Sequence, residues 1–250
     1  MIIEASIDSK KGSYILDTGC SFLAIHGQVQ SNDIQLVSSE FGTSAQEIEV
    51  NHFQFGNISE QHIDAVQFDM KAISDLTQKH IDGVIGTQLF DQYNIMIDYE
   101  ASKVFFFSGR PDLDRSDLLN YSITKSKITK SHNQAYVNMD IAGQSMKMLL
   151  DSGANVSVVD QKWYLRLSKN QLENTNSSLP DDFIIDQSTL SHVRLEELTI
   201  LYRDLARLHT ETSFDGILSL SSLNAGKIIF DMQRDQVIFF WRTDSDASLE

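Results

Sequence analysis

The chain has 250 residues, of which 41% are hydrophobic and 22% charged, a composition typical of soluble globular proteins. Its formal charge is −15, and a field of that sign repels phosphate backbones and anionic membranes, so we expect no nucleic acid partner and no membrane insertion. The single cysteine, Cys20, excludes an internal disulfide and a thiolate metal cluster, and no apolar run approaches the roughly 18 residues that a membrane span needs.

The start of the chain, Met1 to Glu4, has neither the basic residues nor the apolar stretch of a signal peptide. The final residues Leu249 and Glu250 are typical of a cloning remnant, and Met1 is typical of an added start. We therefore expect an excised domain whose missing parts held the targeting information. On that ground alone, we favour a periplasmic or exported location.

The first predicted elements are two strands that lead to an aspartate. Apolar and polar residues alternate from Ile3 to Asp8, which predicts a strand, and Lys10 to Ser13 predicts a hairpin turn. Tyr14 to Leu16 then predicts a second, buried strand. This strand continues directly into Asp17-Thr18-Gly19.

The same series of elements recurs in the second half of the chain. Apolar and polar residues alternate from Tyr136 to Ile141, and Ala142 to Ser145 predicts a turn. An apolar run then begins at Met146 and ends in Asp151-Ser152-Gly153. The order of strand, turn, buried strand and Asp-hydroxyl-Gly triplet is therefore the same in both halves.

Matching landmarks keep one spacing between the two halves. Asp17 and Asp151 are 134 residues apart (151 − 17), and Asp82 and Asp215, each followed by glycine and two aliphatic residues, are 133 apart (215 − 82). The apolar segment that begins at Asn94 also recurs 133 residues later. Chance similarity between strand-rich segments would not keep this register, so the chain is an internal repeat.

We divide the chain into a first unit, 1–107, a connector, 108–132, a second unit, 133–241, and a tail, 242–250. The polar connector predicts an interdomain linker that can include a strand. Two short helices are predicted, one at Leu89, Phe90 and Tyr93 and one from Trp163 to Leu167. The remaining segments predict strands and turns, so we expect an all-β protein with short helices.

Each triplet places its aspartate, Asp17 or Asp151, at the end of a buried strand, where a carboxylate is poorly solvated. The hydroxyl that follows can bond to the surrounding backbone, and the glycine permits a tight turn and close backbone approach. One such triplet is typical of a plain turn. Two similar units, however, normally pack about a pseudo-twofold axis, which brings equivalent residues together.

Two carboxyl groups in contact share a proton, because both cannot ionise together. Such a pair takes a proton from a bound water while it gives one to a carbonyl oxygen. The sequence therefore predicts hydrolysis of peptide bonds without a metal or another cofactor. The predicted catalytic residues are Asp17 and Asp151, and the residues that support them are Thr18, Gly19, Ser152 and Gly153.

The two triplets, each followed about 65 residues later by Asp-Gly and two aliphatic residues, resemble those of the pepsin–retropepsin superfamily of aspartic proteases. The resemblance covers nearly the whole chain, and the short halves are similar to subunits of the retroviral type. It implies a bilobal acid-protease fold in which two β-barrel-like lobes, related by a pseudo-twofold axis, enclose a cleft for an extended peptide. It also implies an aspartic endopeptidase that acts on peptide or protein substrates as a monomer with an internal pseudo-dimer.

The resemblance further implies a β-hairpin flap over the cleft. Phe41-Gly42-Thr43 is similar to the aromatic-Gly-Thr tip of pepsin flaps, although an ordinary hairpin turn is an equal alternative. No glycine occurs between Gly153 and Gly216, so we expect one flap, on the first unit. The chain departs from the family pattern at Phe41, where tyrosine is usual, and at Ser219, where the motif has glycine, so we expect different backbone packing beside Asp151.

Two alternatives remain open. A catalytically silent relative of the same fold would only bind peptide, and its usual sign, the loss of one aspartate, is absent here. A glycosidase would also use two carboxyl groups, but these stand about 5–9.5 Å apart. The seven histidines lack the spacing of common zinc sites, so we expect no metal.

Overall fold

The structure, a computed structural model, describes residues 1–28, 45–90, 93–109, 119–163, 182–185, 188–191, 193–195, 198–205 and 213–243. These residues form twenty β-strands, one α-helix and several short 3-10 helices. The predicted all-β class is therefore confirmed. Within the described part of the chain, no helix has both the length and the hydropathy to cross a membrane.

The strands are numbered in chain order. The first half contains β1 (Ile2–Ile7), β2 (Lys10–Leu16), β3 (Leu23–His26), β4 (Gln46–Phe55), β5 (Ile58–Phe68), β6 (Gly83–Ile85), β7 (Asn94–Asp98) and β8 (Lys103–Phe107). The connector contains β9 (Tyr121–Lys127) and β10 (Thr129–Ser131). The second half contains β11 (Gln134–Ile141), β12 (Gln144–Asp151), β13 (Ser157–Asp160), β14 (Asp182–Ile185), β15 (Ser188–Leu190), β16 (Val193–Leu195), β17 (Leu198–Arg203), β18 (Gly216–Ser219), β19 (Lys227–Asp231) and β20 (Gln236–Arg242).

Six strands of the first half close into a barrel in the order β1-β2-β6-β3-β5-β4. Its first hairpin turns at Asp8 and Ser9, whose φ angles of 48° and 68° are those of a two-residue turn that follows the twist of the strands. The predicted turn at Lys10 to Ser13 is therefore wrong, because these residues belong to β2 and pair with β1. Gly12, which suggested the turn, instead makes room for Asp82, since a Cβ at Gly12 would lie 2.8 Å from the Asp82 Cγ.

The second half repeats the strand order of the barrel in an open sheet. Strands β11, β12, β18, β13, β17 and β14 are neighbours in that order, with the same alternation of antiparallel and parallel pairs as in the first half. Within the described residues this sheet is open, with β11 pairing with β10 and β15 beyond β12. The turn predicted at Ala142 to Ser145 lies at Ala142 and Gly143, and Gln144 already begins β12.

A third sheet, in the order β8-β7-β19-β20-β9, combines strands from both halves and from the connector. Strand β9 pairs with β20 over its whole length. The connector thus carries two strands, β9 and β10. It is bound into the sheets because its alternating side chains, such as the buried Thr124 and Ser126, place it on a pleated surface.

The only α-helix among the described residues, α1 (Lys71–Thr77), was not predicted. It has no buried residue and no side-chain cap at its start, so it lacks the usual sequence signals of a helix. The helix predicted around Leu89 is a 3-10 helix, Thr87–Phe90. The one predicted from Trp163 begins earlier, as the 3-10 helix Gln161–Trp163, and its remaining residues lie outside the described part.

One large apolar core joins strands from all three sheets. Leu16, at the end of β2, and Leu150, near the end of β12, are both fully buried in it. Burying a leucine side chain stabilises a fold by about 1.5–3 kcal/mol, so both strand ends are firmly anchored. The residues that follow these leucines are Asp17 and Asp151.

Candidate active site

Asp17 and Asp151 are held at equivalent strand ends. Asp17 follows β2, and its N–H donates to the carbonyl of Ile85 in the parallel strand β6 (3.0 Å). Asp151 is the last residue of β12 and lies opposite Ser219 in the parallel strand β18. In each half, the supporting strand, β6 or β18, begins at the glycine that follows Asp82 or Asp215.

Reciprocal hydrogen bonds join the two aspartate loops. The Thr18 hydroxyl donates to the Leu150 carbonyl (2.8 Å) and accepts the Ser152 N–H (3.0 Å). The Ser152 hydroxyl likewise donates to the Leu16 carbonyl (2.9 Å) and accepts the Thr18 N–H (3.0 Å). Thr18 is 1% exposed and Ser152 is 4% exposed, so both hydroxyls are satisfied away from water. This network fixes the position of one loop relative to the other.

Each glycine of the triplets packs against the aspartate of the other half. A Cβ built on Gly19 would lie 2.6 Å from the Cγ of Asp151, and one built on Gly153 would lie 2.6 Å from the Cγ of Asp17. Distances this short leave no room for a side chain. The glycines therefore permit the close approach of the two carboxyl groups.

Backbone N–H groups hold one oxygen of each carboxyl group. The Oδ1 of Asp17 accepts the N–H groups of Gly19 (2.8 Å) and Cys20 (3.1 Å). The Oδ1 of Asp151 accepts those of Gly153 (2.6 Å) and Ala154 (2.9 Å). Because both loops use the same pair of donors, the two carboxyl groups have matching orientations within their own loops.

The two carboxyl groups lie close together, and this proximity perturbs Asp151. Burial raises the pKa of Asp151 well above its ordinary value, and the negative charge of Asp17 and the hydrogen bond to it raise it further. The N–H groups of Ala154 and Gly153 act in the opposite direction without reversing the effect. The arrangement therefore favours a proton on Asp151 at a pH where an ordinary aspartate is ionised.

Other titratable groups lie close to the pair. Burial raises the pKa of Tyr99, and the charge of Asp151 raises it further. Burial also raises the pKa of the Cys20 thiol, which donates to the carbonyl of Phe22 (3.3 Å) and stays protonated. The amino group of Met1 has a pKa that is lowered by burial, while the charges of both aspartates oppose that change.

The raised pKa of Asp151 predicts how stability depends on pH. The folded protein binds a proton at Asp151 more tightly than the unfolded chain, where the carboxyl group titrates near 3.8. We therefore expect the free energy of unfolding to fall as the pH rises above about 4, until Asp151 ionises in the folded state. Urea unfolding of the wild type and of Asp151→Asn across this range would measure the effect, because the variant lacks this titration. Two parallel stability curves would contradict the expectation.

Asp82 and Asp215 brace the strands beneath the pair, a role that sequence reasoning did not assign to them. Asp82 exchanges hydrogen bonds with the backbone of Ser13: its N–H donates to the Ser13 carbonyl, and its carboxylate accepts the Ser13 N–H, both at 2.8 Å. Asp215 does the same with Lys147 (2.8 and 3.0 Å). The signal was present in the sequence, since both aspartates keep the repeat spacing.

The two halves differ where Ser219 takes the place of Gly86. A Cβ at Gly86 would collide with the carbonyl oxygens of Phe22 and Cys20. Ser219 has a side chain at the matching position, and its hydroxyl donates to the carbonyl of Ala154 (2.7 Å). The backbone beside Asp151 is thus spaced to accept a side chain, and the hydroxyl replaces close packing with a hydrogen bond.

The structure brings six of the predicted site residues together: Asp17, Thr18, Gly19, Asp151, Ser152 and Gly153. The predicted flap residues Phe41, Gly42 and Thr43 lie outside the described residues. Among the residues that the structure describes, no three His, Cys, Asp or Glu side chains are placed to hold a metal ion.

Comparison with known proteins assigns the chain to no family. No protein-family model matches the sequence, and no curated protein matches it significantly.

Proposed function

We propose that this chain is an aspartic endopeptidase in which Asp17 and Asp151 share a proton and activate water. The observation that carries the proposal is the contact between the two carboxyl groups, each held by backbone N–H groups of its own loop. The buried hydroxyl network between Thr18 and Ser152 supports it, because it holds the pair in one geometry before substrate binds.

In the proposed reaction, Asp17 is the general base and Asp151 the general acid. Asp17 takes a proton from a bound water, whose oxygen attacks the peptide carbonyl carbon, while Asp151 gives its proton to the carbonyl oxygen. The resulting gem-diol collapses as one of its hydroxyls returns a proton to Asp151 and the C–N bond breaks, while Asp17 gives its proton to the leaving amine. The raised pKa of Asp151 supports its role as acid, because it retains its proton at a pH where an ordinary carboxyl group is ionised.

We infer further that each repeat contributes one lobe and that the lobes are related by a pseudo-twofold axis. The shared strand order of the halves and the reciprocal hydrogen bonds of Thr18 and Ser152 support this arrangement. A cleft between the lobes would accept a peptide or protein substrate in an extended conformation. Because both halves lie in one chain, the active species would be a monomer with an internal pseudo-dimer.

Digestion of an unfolded protein from about pH 3 to about pH 8, with and without pepstatin, tests the proposal. We expect cleavage by the wild type, none by Asp17→Asn, and a bell-shaped pH profile that reports the apparent pKa values of the pair. Activity per molecule should not change on dilution. A steep loss on dilution would contradict the monomer, and intact substrate at every pH would favour the silent peptide-binding alternative.

The contact between the carboxyl groups argues against a glycosidase. Glycosidases keep their two carboxyl groups about 5–9.5 Å apart to admit a sugar and, in some families, a water. Asp17 is instead close enough to raise the pKa of Asp151 through its charge and a hydrogen bond. A cysteine nucleophile is also disfavoured, because the raised pKa of Cys20 keeps its thiol protonated.

A further inference from the structure

Gln134, from the second repeat, reaches the loop that carries Asp17. Gln134 is the first residue of β11 and is 8% exposed. Its Nε2 donates a hydrogen bond to the carbonyl of Gly19. The hydroxyl of Tyr136, which is 1% exposed, donates to the Oε1 of Gln134 (2.8 Å) and so fixes which end of the amide faces Gly19.

The Gly19 carbonyl lies in the same peptide plane as the Cys20 N–H, which donates to Asp17. In a trans peptide, the carbonyl and the N–H of the next residue point in opposite directions. A donor that holds the Gly19 carbonyl on one side therefore aims the Cys20 N–H to the other side, where it bonds the Oδ1 of Asp17 (3.1 Å). The hydrogen bond accepted by the Gly19 carbonyl also polarises the Gly19–Cys20 peptide, which makes the Cys20 N–H a stronger donor.

This support is not matched in the loop of Asp151. In both loops, a hydroxyl braces the third residue after the aspartate: Thr87 donates to the Cys20 carbonyl (3.1 Å), and Ser219 donates to the Ala154 carbonyl (2.7 Å). Among the described residues, however, the carbonyl of Gly153 receives no side-chain donor equivalent to Gln134. Each aspartate therefore accepts the same pair of backbone N–H groups, but only in the Asp17 loop does a side-chain donor among the described residues hold the peptide of the second N–H group.

We propose that Gln134, oriented by Tyr136, is a positioning residue that holds the Cys20 N–H on the carboxyl group of Asp17 and so makes Asp17 the base of the pair. The inference rests on the proposed function only for its kinetic consequences. Its geometric basis is the chain of hydrogen bonds from Tyr136 through Gln134 and Gly19 to the Asp17 loop. In this role Gln134 acts on Asp17 through the Gly19–Cys20 peptide rather than by contact with substrate.

Two variants and one control test the role. Gln134→Met keeps the length of the side chain but removes its donor, while Tyr136→Phe keeps the ring and removes the hydroxyl that orients the amide. Asn138→Met is the control, because Asn138 lies on the same face of β11 and is exposed. We expect Gln134→Met to lower kcat roughly tenfold with KM within about twofold, and to move the acid limb of the pH profile up by about half a pH unit. Tyr136→Phe should show a smaller change in the same direction, and the control none.

A second measurement separates this inference from the proposed function. Carboxyl titration by ¹³C NMR requires no substrate, and Gln134→Met should raise the lower apparent pKa of the pair even if no peptide is cleaved. If the wild type cleaves peptides and Asp17→Asn does not, while both Gln134→Met and Tyr136→Phe keep the wild-type pH profile and titration, Gln134 is merely structural. That result would overturn the inference and leave the proposed peptidase intact.

Discussion

Replacing Asp17 or Asp151 with asparagine is expected to lower the rate of peptide cleavage by roughly a thousandfold or more while the fold stays intact. Asparagine cannot take a proton from water or give one to a carbonyl oxygen under these conditions, so either substitution removes proton transfer by the pair. The fold should persist, because the side-chain oxygen of asparagine can still accept the N–H groups of Gly19 and Cys20, or of Gly153 and Ala154.

A variant with both Asp17→Asn and Asp151→Asn tests whether the two carboxyl groups act together. Because the two carboxyl groups act as a unit, replacing both should cost little more activity than replacing one. Asp140→Asn is a matched control, since Asp140 also accepts a backbone N–H in a tight turn, that of Gly143 (2.9 Å), but lies outside the pair. Steady-state cleavage rates and circular dichroism would measure activity and fold. Full activity in Asp151→Asn would contradict the proposal that Asp17 and Asp151 act together.

Replacing Thr18 with valine is expected to lower the free energy of unfolding by about 2–4 kcal/mol. Valine has the shape of threonine but cannot donate to the Leu150 carbonyl or accept the Ser152 N–H. Both groups would then be buried without a partner, and each such group costs about 1–3 kcal/mol.

Thr18→Ser provides the control, because serine keeps the hydroxyl and already serves at the matching position, Ser152. We expect it to lose less than about half as much stability as Thr18→Val. Urea unfolding of both variants at one pH would measure the difference. Equal losses in the two variants would show that the methyl group, rather than the hydroxyl network, stabilises the junction of the loops.

Local patterns were sufficient to predict the repeat and the class of the fold. Alternation along β1 and β11, followed by the apolar strands β2 and β12, is visible in short windows, since each side of a strand has a fixed period of two residues. The repeat spacing then predicted that the two aspartates meet. The structure adds the same strand order in both halves, which spacing alone did not provide.

Features set by distant contacts were not predictable. The sequence around Gly12 predicts a turn, but the glycine is needed because the side chain of Asp82, which is far away in sequence, packs against it. Gln134 was missed because its partner, Gly19, lies 115 residues earlier, and a polar residue at a strand start carries no sequence signal of such a bond.

A carboxyl titration of the aspartate-labelled protein by ¹³C NMR, from about pH 2 to about pH 9, tests the central claim without a substrate. The claim is that Asp17 and Asp151 share one proton. It predicts two well-separated titration steps in which the resonances of both residues respond, and one step for Asp151, at lower pH than the second wild-type step, in Asp17→Asn. Independent single titrations of both residues near the ordinary aspartate pKa would contradict the claim.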